Sequence, residues 1–176
     1  MNKKLMIAML AASSALTMTN AFAAAGTVNF NGNILDSACD VDVASQNQVV
    51  VLGDYNKTEF SAAGDRTAAT QFNIILKNCP VSVTNARVRF DGTPDSINTR
   101  LLAVDTSVAG AATGVAINLM TADKADLPLH GSNAYTYALS STMDNTLEFY
   151  AQYISTASAV TAGPANSVAN FSVVYN

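Results

Sequence analysis

The sequence predicts an all-β sandwich of immunoglobulin type with one edge left open. Three observations predict it. Apolar residues recur with a period of two in segment after segment, and turn-rich stretches separate those segments. Downstream of residue 23, no stretch carries the three-to-four spacing and the caps of an amphipathic helix. The last alternating segment, Phe171-Ser172-Val173-Val174-Tyr175-Asn176, closes the sequence where a further strand would be needed to cover its edge.

Taken in order, residues 1–23 read as an export signal. Lys3 and Lys4 give a positive start, Leu5 to Met18 is a short run without acid, and Ala21-Phe22-Ala23 is a small-residue cleavage site. The run falls short of the ~20 residues a spanning helix needs, and no basic stop-transfer cluster follows it. A mature chain beginning at Ala24 is expected. Val28 and Phe30 then alternate with Asn29 and Asn31, Phe72, Ile74 and Leu76 with Asn73, Ile75 and Lys77, and Ala86, Val88 and Phe90 with Arg87 and Arg89. Val115, Ile117 and Leu119 follow, then Leu147, Phe149, Ala151 and Tyr153. Each segment is predicted as a half-buried strand with the first-named residues inward. On the closing strand the same rule places Ala169, Phe171, Val173 and Tyr175 on one face, behind Gly163.

Connections are expected at Asp91-Gly92-Thr93-Pro94-Asp95, at Ala109-Gly110-Ala111-Ala112-Thr113-Gly114 and at Gly163-Pro164-Ala165-Asn166. Residues 91–99 and 121–133 are expected as exposed loops.

Composition narrows the partners. About 150 residues follow the signal, enough for one domain with a real core. All thirteen acids lie downstream of it, so losing Lys3 and Lys4 takes the net charge from -4 to -6. Nucleic acid and acidic lipid are poor partners for such a surface. No run of like charge and no Pro/Ser linker marks a second domain.

Two cysteines remain, Cys39 and Cys79. In an oxidising space such a pair most simply forms one disulfide. Closing a loop of this length stabilises by about 4 kcal/mol on the chain-entropy account. A zinc or redox centre is the rival reading, but there is no CxxC, and with His130 the only histidine a four-ligand site would draw carboxylates from unrelated segments. The B-to-F cystine and core tryptophan of antibody domains are absent, so the staple would join early strands.

Other chemistry-bearing residues have simpler readings. His130 in Leu129-His130-Gly131-Ser132 lacks a Gly-x-Ser-x-Gly elbow and reads as a turn histidine. Asp36, Asp40 and Asp42 lack the spacing of a calcium loop and read as a solvated face. Arg87 and Arg89 are the wet side of a strand, and the Gly110 to Gly114 stretch lacks the lysine and helix of a phosphate loop. No catalytic residue, metal or cofactor is expected.

A set of segments in order then carries a resemblance over the whole chain. They are Gly26-Thr27-Val28-Asn29-Phe30-Asn31-Gly32, Asp36-Ser37-Ala38-Cys39, Val49-Val50-Val51-Leu52-Gly53, Phe72-Asn73-Ile74-Ile75-Leu76-Lys77-Asn78-Cys79, Phe149-Tyr150-Ala151-Gln152-Tyr153 and the tail with Gly163 and Tyr175. The chain resembles the major-subunit pilins of chaperone-usher fimbriae, the type 1 fimbrial group. The resemblance implies an immunoglobulin-like sandwich that lacks its last strand and is completed by a donor strand. Residues 1–23 would be the signal peptide, 24–32 the donor segment and 33–176 the pilin domain.

By the same resemblance Ala24, Gly26, Val28 and Phe30 are the donor residues. Gly163, Ala169, Phe171, Val173 and Tyr175 are the groove edge and chaperone contact. The implied partners are a periplasmic chaperone, an outer-membrane usher and neighbouring subunits, with the product a cell-surface fimbria that supports adhesion. Only Ala24 and Ala25 precede Gly26, where relatives carry a longer arm, so slower strand exchange is expected, and a minor or terminating subunit remains an alternative. A tip adhesin is disfavoured because about 150 residues leave no room for a separate receptor domain. A free secreted carbohydrate-binding module would bind glycan as a monomer. An exported hydrolase lacks its nucleophile and base.

Overall fold

The computed structural model describes residues 26–34 and 38–175. The predicted signal, Ala24, Asp36 and Asn176 lie outside them. The chain divides into two units, Met1–Ile34 and Leu35–Asn176. In the first, residues 26–34 form no strand, and Val28, Phe30 and Ile34 are exposed at 77%, 92% and 101%. The half-buried strand predicted around Val28 and Phe30 is therefore absent from the single chain: alternation supplies a face to bury, but a strand also needs a ladder partner.

The second unit is built from strands β1 (Asp40–Val41), β2 (Thr70–Lys77), β3 (Asn85–Gly92), β4 (Leu102–Ala103), β5 (Val115–Thr121), β6 (Tyr137–Ala138), β7 (Asn145–Ser155) and β8 (Ala169–Tyr175). The one α-helix described, α1 (Val43–Gln46), is a single turn capped by the Asp42 side chain, which accepts from the Ala44 N–H at 2.9 Å. A 3₁₀ turn at Lys57–Glu59 is closed by a capping box between Asn56 and Glu59.

The strands form two antiparallel sheets, ordered β1-β2-β7-β5-β4 and β6-β3-β8. In the larger one, Phe72 pairs with Phe149 and Ile74 with Leu147, while Leu119 pairs with Ala151. In the smaller one, Phe90 pairs with Phe171 and Val88 with Val173. These registers bring the inward residues of both sheets into one aromatic core. Phe149 meets Phe90 edge-on at 5.4 Å between centroids and stacks on Phe72 at 5.6 Å, and Phe90 lies 6.3 Å from Phe171.

Three expectations are corrected. β5 is buried along its whole length, not on one face, because Ala116 packs outward against Leu101 and Ile154 in a second small cluster. Asp91 and Gly92 belong to the end of β3 and not to a turn. The 121–133 stretch sends Leu127 and Leu129 into the core, and in the 91–99 stretch Asp95 is buried, accepting from the Ile97 and Asn98 N–H groups. Strands β1, β4 and β6 went unread because a two-residue strand carries no period.

Candidate functional site

β8 follows the alternation of its sequence. Ala169, Phe171, Val173 and Tyr175 are half-buried and pack on the core, while Asn170, Ser172 and Val174 face out. Its one strand partner among the described residues is β3, so its other edge carries backbone donors and acceptors without a ladder.

Across from this edge runs a second stretch without pairing. Residues 47–55 form no strand, and among the described residues 48–55 make no backbone-to-backbone hydrogen bond. Their side chains still alternate, with Val50 and Leu52 half-buried while Val49 and Val51 are exposed at 89% and 76%. Gln48 ties the stretch to β2 by donating its Nε2 to the Asn73 carbonyl at 3.1 Å. A chain with strand-like alternation and no partner is one wall of an unfilled ladder.

Between the two walls lies a cleft of about 950 Å³. Its floor is the core itself, with Phe72, Ile74, Ile117, Leu119 and Tyr153 from the larger sheet and Phe90 from the smaller. Apolar floor and unpaired backbone walls suit an extended segment that alternates apolar and polar residues.

The two ends of the cleft are held differently. At one end the 160–168 segment closes against the 103–113 loop. Asp105 N–H donates to the Asn166 carbonyl at 2.7 Å, Ala112 N–H to Pro164 at 2.9 Å, and Tyr153 hydroxyl to Ala165 at 2.9 Å. Gly163 sits at this closure, and a Cβ there would run into the Gly110 carbonyl and lie 2.8 Å from the Ala112 nitrogen. Only glycine fits so close to backbone. Beyond the other end, further along β8, Tyr175 hydroxyl donates to the Cys39 carbonyl at 3.3 Å. Burial raises the Tyr175 phenol above its ordinary pKa.

Cys39 is joined to Cys79, with 4.2 Å between their Cα atoms. The disulfide links the entry of β1 to the exit of β2, next to the pair of Asp40 with Lys77. Buried Asn145 donates to Cys79 Sγ at 3.3 Å and to the Ser140 carbonyl at 2.9 Å, so a polar side chain braces the staple.

Gly163, Ala169 and Phe171 line the cleft, whereas Val173 and Tyr175 lie beyond it along β8 and pack into the core. Gly26, Val28 and Phe30 lie in the first unit, and Ala24 outside the described residues. Sequence reasoning missed the opposite wall. The apolar run Val49-Val50-Val51-Leu52 was the available signal, since it alternates in burial without hiding both faces. Among the described residues no group of three or more His, Cys, Asp or Glu is placed to hold a metal, and no helix is long and apolar enough to cross a membrane.

A family model described as fimbrial protein matches residues 28–176. The chain belongs to the fimbrial protein family. It is 39% identical over 165 residues to a probable major fimbrial subunit, LpfA, of Escherichia coli O157:H7, covering 92% of this chain and 91% of that protein. It is 40% identical over 154 residues to the type-1 fimbrial protein A chain of Salmonella typhi, covering 85% and 82%. Among solved structures it is similar to the Burkholderia pseudomallei antigen and type I fimbria protein BPSL1626, with TM-score 0.60 and 39% identity, covering 85% of this chain and 97% of that one. The P pilus rod subunit PapA shares the fold, with TM-score 0.67 at 22% identity, over 80% and 100% of the chains.

This fimbrial subunit is therefore a structural component of a surface fimbria, and its immunoglobulin-like sandwich is that of pilus subunits. Such subunits polymerise with other subunits. The open edge of β8 and the cleft beside it are where the sandwich is incomplete.

Proposed function

We propose that this subunit is linked to the next by strand donation. The amino-terminal segment of one copy, residues 24–31, fills the cleft of its neighbour between β8 and the 47–55 stretch. The observation that carries the reading is the cleft of about 950 Å³ whose floor is core and whose walls are two unpaired backbone stretches. Strand addition to an open sheet edge is an established mode in chaperone-pilin complexes, so a periplasmic chaperone that occupies the cleft first and an outer-membrane usher that oversees the exchange belong to the same reading.

The donor's chemistry supports it. Val28 and Phe30 are solvent-exposed in the single chain, and burying each is worth ~1.5 to 3 kcal/mol. Ladder bonds along β8 add to this at ~0.5 to 1.5 kcal/mol each. The contact joins two different surfaces, so repetition gives an open filament unless the rotation closes. Release requires drawing a strand out of a packed core, which makes the link persist kinetically. The role is structural, and no catalytic step or cofactor enters it. The rod subunit is the reading carried forward, since LpfA of Escherichia coli O157:H7 bears the description of a major subunit.

Fimbriae sheared from expressing cells and run unboiled on a denaturing gel should give a ladder of multimers. Deleting residues 26–31 should abolish the ladder and leave unassembled subunit in the periplasm. A ladder that survives the deletion contradicts strand donation by this segment.

A further inference from the structure

The segment ahead of the sandwich carries reactive amides as well as an apolar face. Asn29, Asn31 and Asn33 alternate there with Phe30, Gly32 and Ile34, and all six residues are exposed. Asn31 alone is followed by glycine, and Asn31-Gly32 is the one Asn-Gly pair in the chain.

An asparagine amide can be attacked at its Cγ by the main-chain nitrogen of the residue that follows. The freedom of that residue decides whether the two atoms meet. Phe30 and Ile34 crowd the nitrogens after Asn29 and Asn33, Ile34 with a branched and stiff Cβ. Gly32 has no Cβ and the widest backbone range. Its chain neighbours apart, nothing lies within 4 Å of a Cβ built on it, and Asn31 and Gly32 make no backbone hydrogen bond to the other described residues. Asp91-Gly92 shows the opposite setting, since β3 holds both residues in register with Asn170 and Ala169 of β8.

We infer that Asn31-Gly32 is a site of spontaneous deamidation in the unassembled subunit, and that strand donation shields it. The Gly32 nitrogen bonds to Asn31 Cγ, its proton passes through water to the departing amide nitrogen, and ammonia leaves a five-membered succinimide. Water then opens the ring at either carbonyl, to an aspartyl or an isoaspartyl residue. One water is consumed and one ammonia released, with no oxidant or reductant. The product carries a new negative charge at the base of the arm. The isoaspartyl form also adds a methylene to the main chain, which shifts Val28 and Phe30 relative to the domain. The shielding half rests on the strand donation proposed above: a donated arm is held extended through residue 31, which keeps the Gly32 nitrogen away from Cγ.

The test incubates unassembled subunit from the periplasm, and fimbriae sheared from the same cells, in heavy-oxygen water at mildly alkaline pH. Mass spectrometry with fragmentation then locates the label among residues 29, 31 and 33. In the unassembled subunit label should enter residue 31 about tenfold or more faster than residues 29 and 33. Gly32→Ala should slow it by about tenfold or more, and so should Asn31→Gln, whose longer side chain would have to close a larger ring. Fimbriae should label at residue 31 several-fold more slowly than unassembled subunit. Equal labelling of the three asparagines, or an unchanged rate in Gly32→Ala, overturns the site. Fimbriae that label as fast as unassembled subunit while keeping their unboiled ladder overturn the shielding. Loss of that ladder in unmodified fimbriae counts against strand donation and the shielding with it, while the labelling of unassembled subunit still decides the site.

Discussion

The Tyr175 hydroxyl donates to the Cys39 carbonyl at 3.3 Å, tying the end of β8 in the smaller sheet to the disulfide at the entry of β1 in the larger. The sandwich is thus closed across its two sheets at one end of β8, while the cleft opens beside Ala169–Phe171 at the other.

Removing only the donor isolates this tie. Tyr175→Phe should lower stability by about 0.5–1.5 kcal/mol, read as a lower urea midpoint. Tyr175→Ser also deletes a ring packed on the core and should reduce periplasmic yield. Unchanged yield and fibre length for the serine variant would count against Tyr175 as a groove-edge residue.

Gly163 has no room for a methyl group. Gly163→Ala should destabilise by roughly 1–3 kcal/mol or more, because the atoms in the way are the backbone of residues 110–112 and not a movable side chain. The check is the thermal midpoint and the amount of assembled fibre. An alanine variant as stable as the parent contradicts the closure described here.

Asn145 gathers four hydrogen bonds in a buried position, three from its amide nitrogen to Ser140, Met143 and Cys79 and one accepted from the Ser140 N–H at 2.6 Å. Asn145→Ala strands these groups without water and should cost about 1–3 kcal/mol. Reduction of the disulfide should cost about 4 kcal/mol on the chain-entropy account. Because Asn145 touches Cys79, the two losses should be less than additive, measured as a double-mutant cycle with Cys39→Ala/Cys79→Ala.

Acid sensitivity should set in only at low pH. Asp65 accepts from the Ala62 and Ser61 N–H groups, both at 2.7 Å, and from the Ser61 hydroxyl; the Ala62 bond is the leading cause that holds its pKa below the ordinary 3.8. Asp42, bonded to Lys77, and Asp91, bonded to His130, are lowered in the same sense. For a depressed folded pKa, the contribution is full above the unfolded value and is lost as pH falls through the folded one. Thermal midpoints should therefore hold down to about pH 4 and fall below it. Asp65→Asn should be less stable than the parent at pH 7, with the gap narrowing as pH falls below 3.8; a gap that stays constant through the acid range would assign the loss to packing.

Much of the fold was legible because its long strands bury one face. Phe72, Ile74 and Leu76, or Phe171, Val173 and Tyr175, announce themselves by period two, and Cys39 with Cys79 by their compartment. β5 was misread because Asn118 and Thr121 are polar yet buried, held by Asp126, Asp123 and Asn133 of the stretch that follows the strand. The cleft was half legible. β8 showed that an edge lacked its cover, but nothing local in Val49 to Gly53 says that the stretch lies opposite, since an unpaired wall is defined by what it fails to contact.

The central claim is that the sandwich lacks a strand and that residues 24–31 of another copy supply it. The most direct measurement takes the chain without its signal and residues 24–31, adds a peptide of that sequence, and follows the thermal unfolding midpoint against peptide concentration. A large rise that reverses slowly on dilution is the predicted result. No shift, with a cooperative transition already present in the truncated chain, would mean that the sandwich is complete alone and would contradict the account.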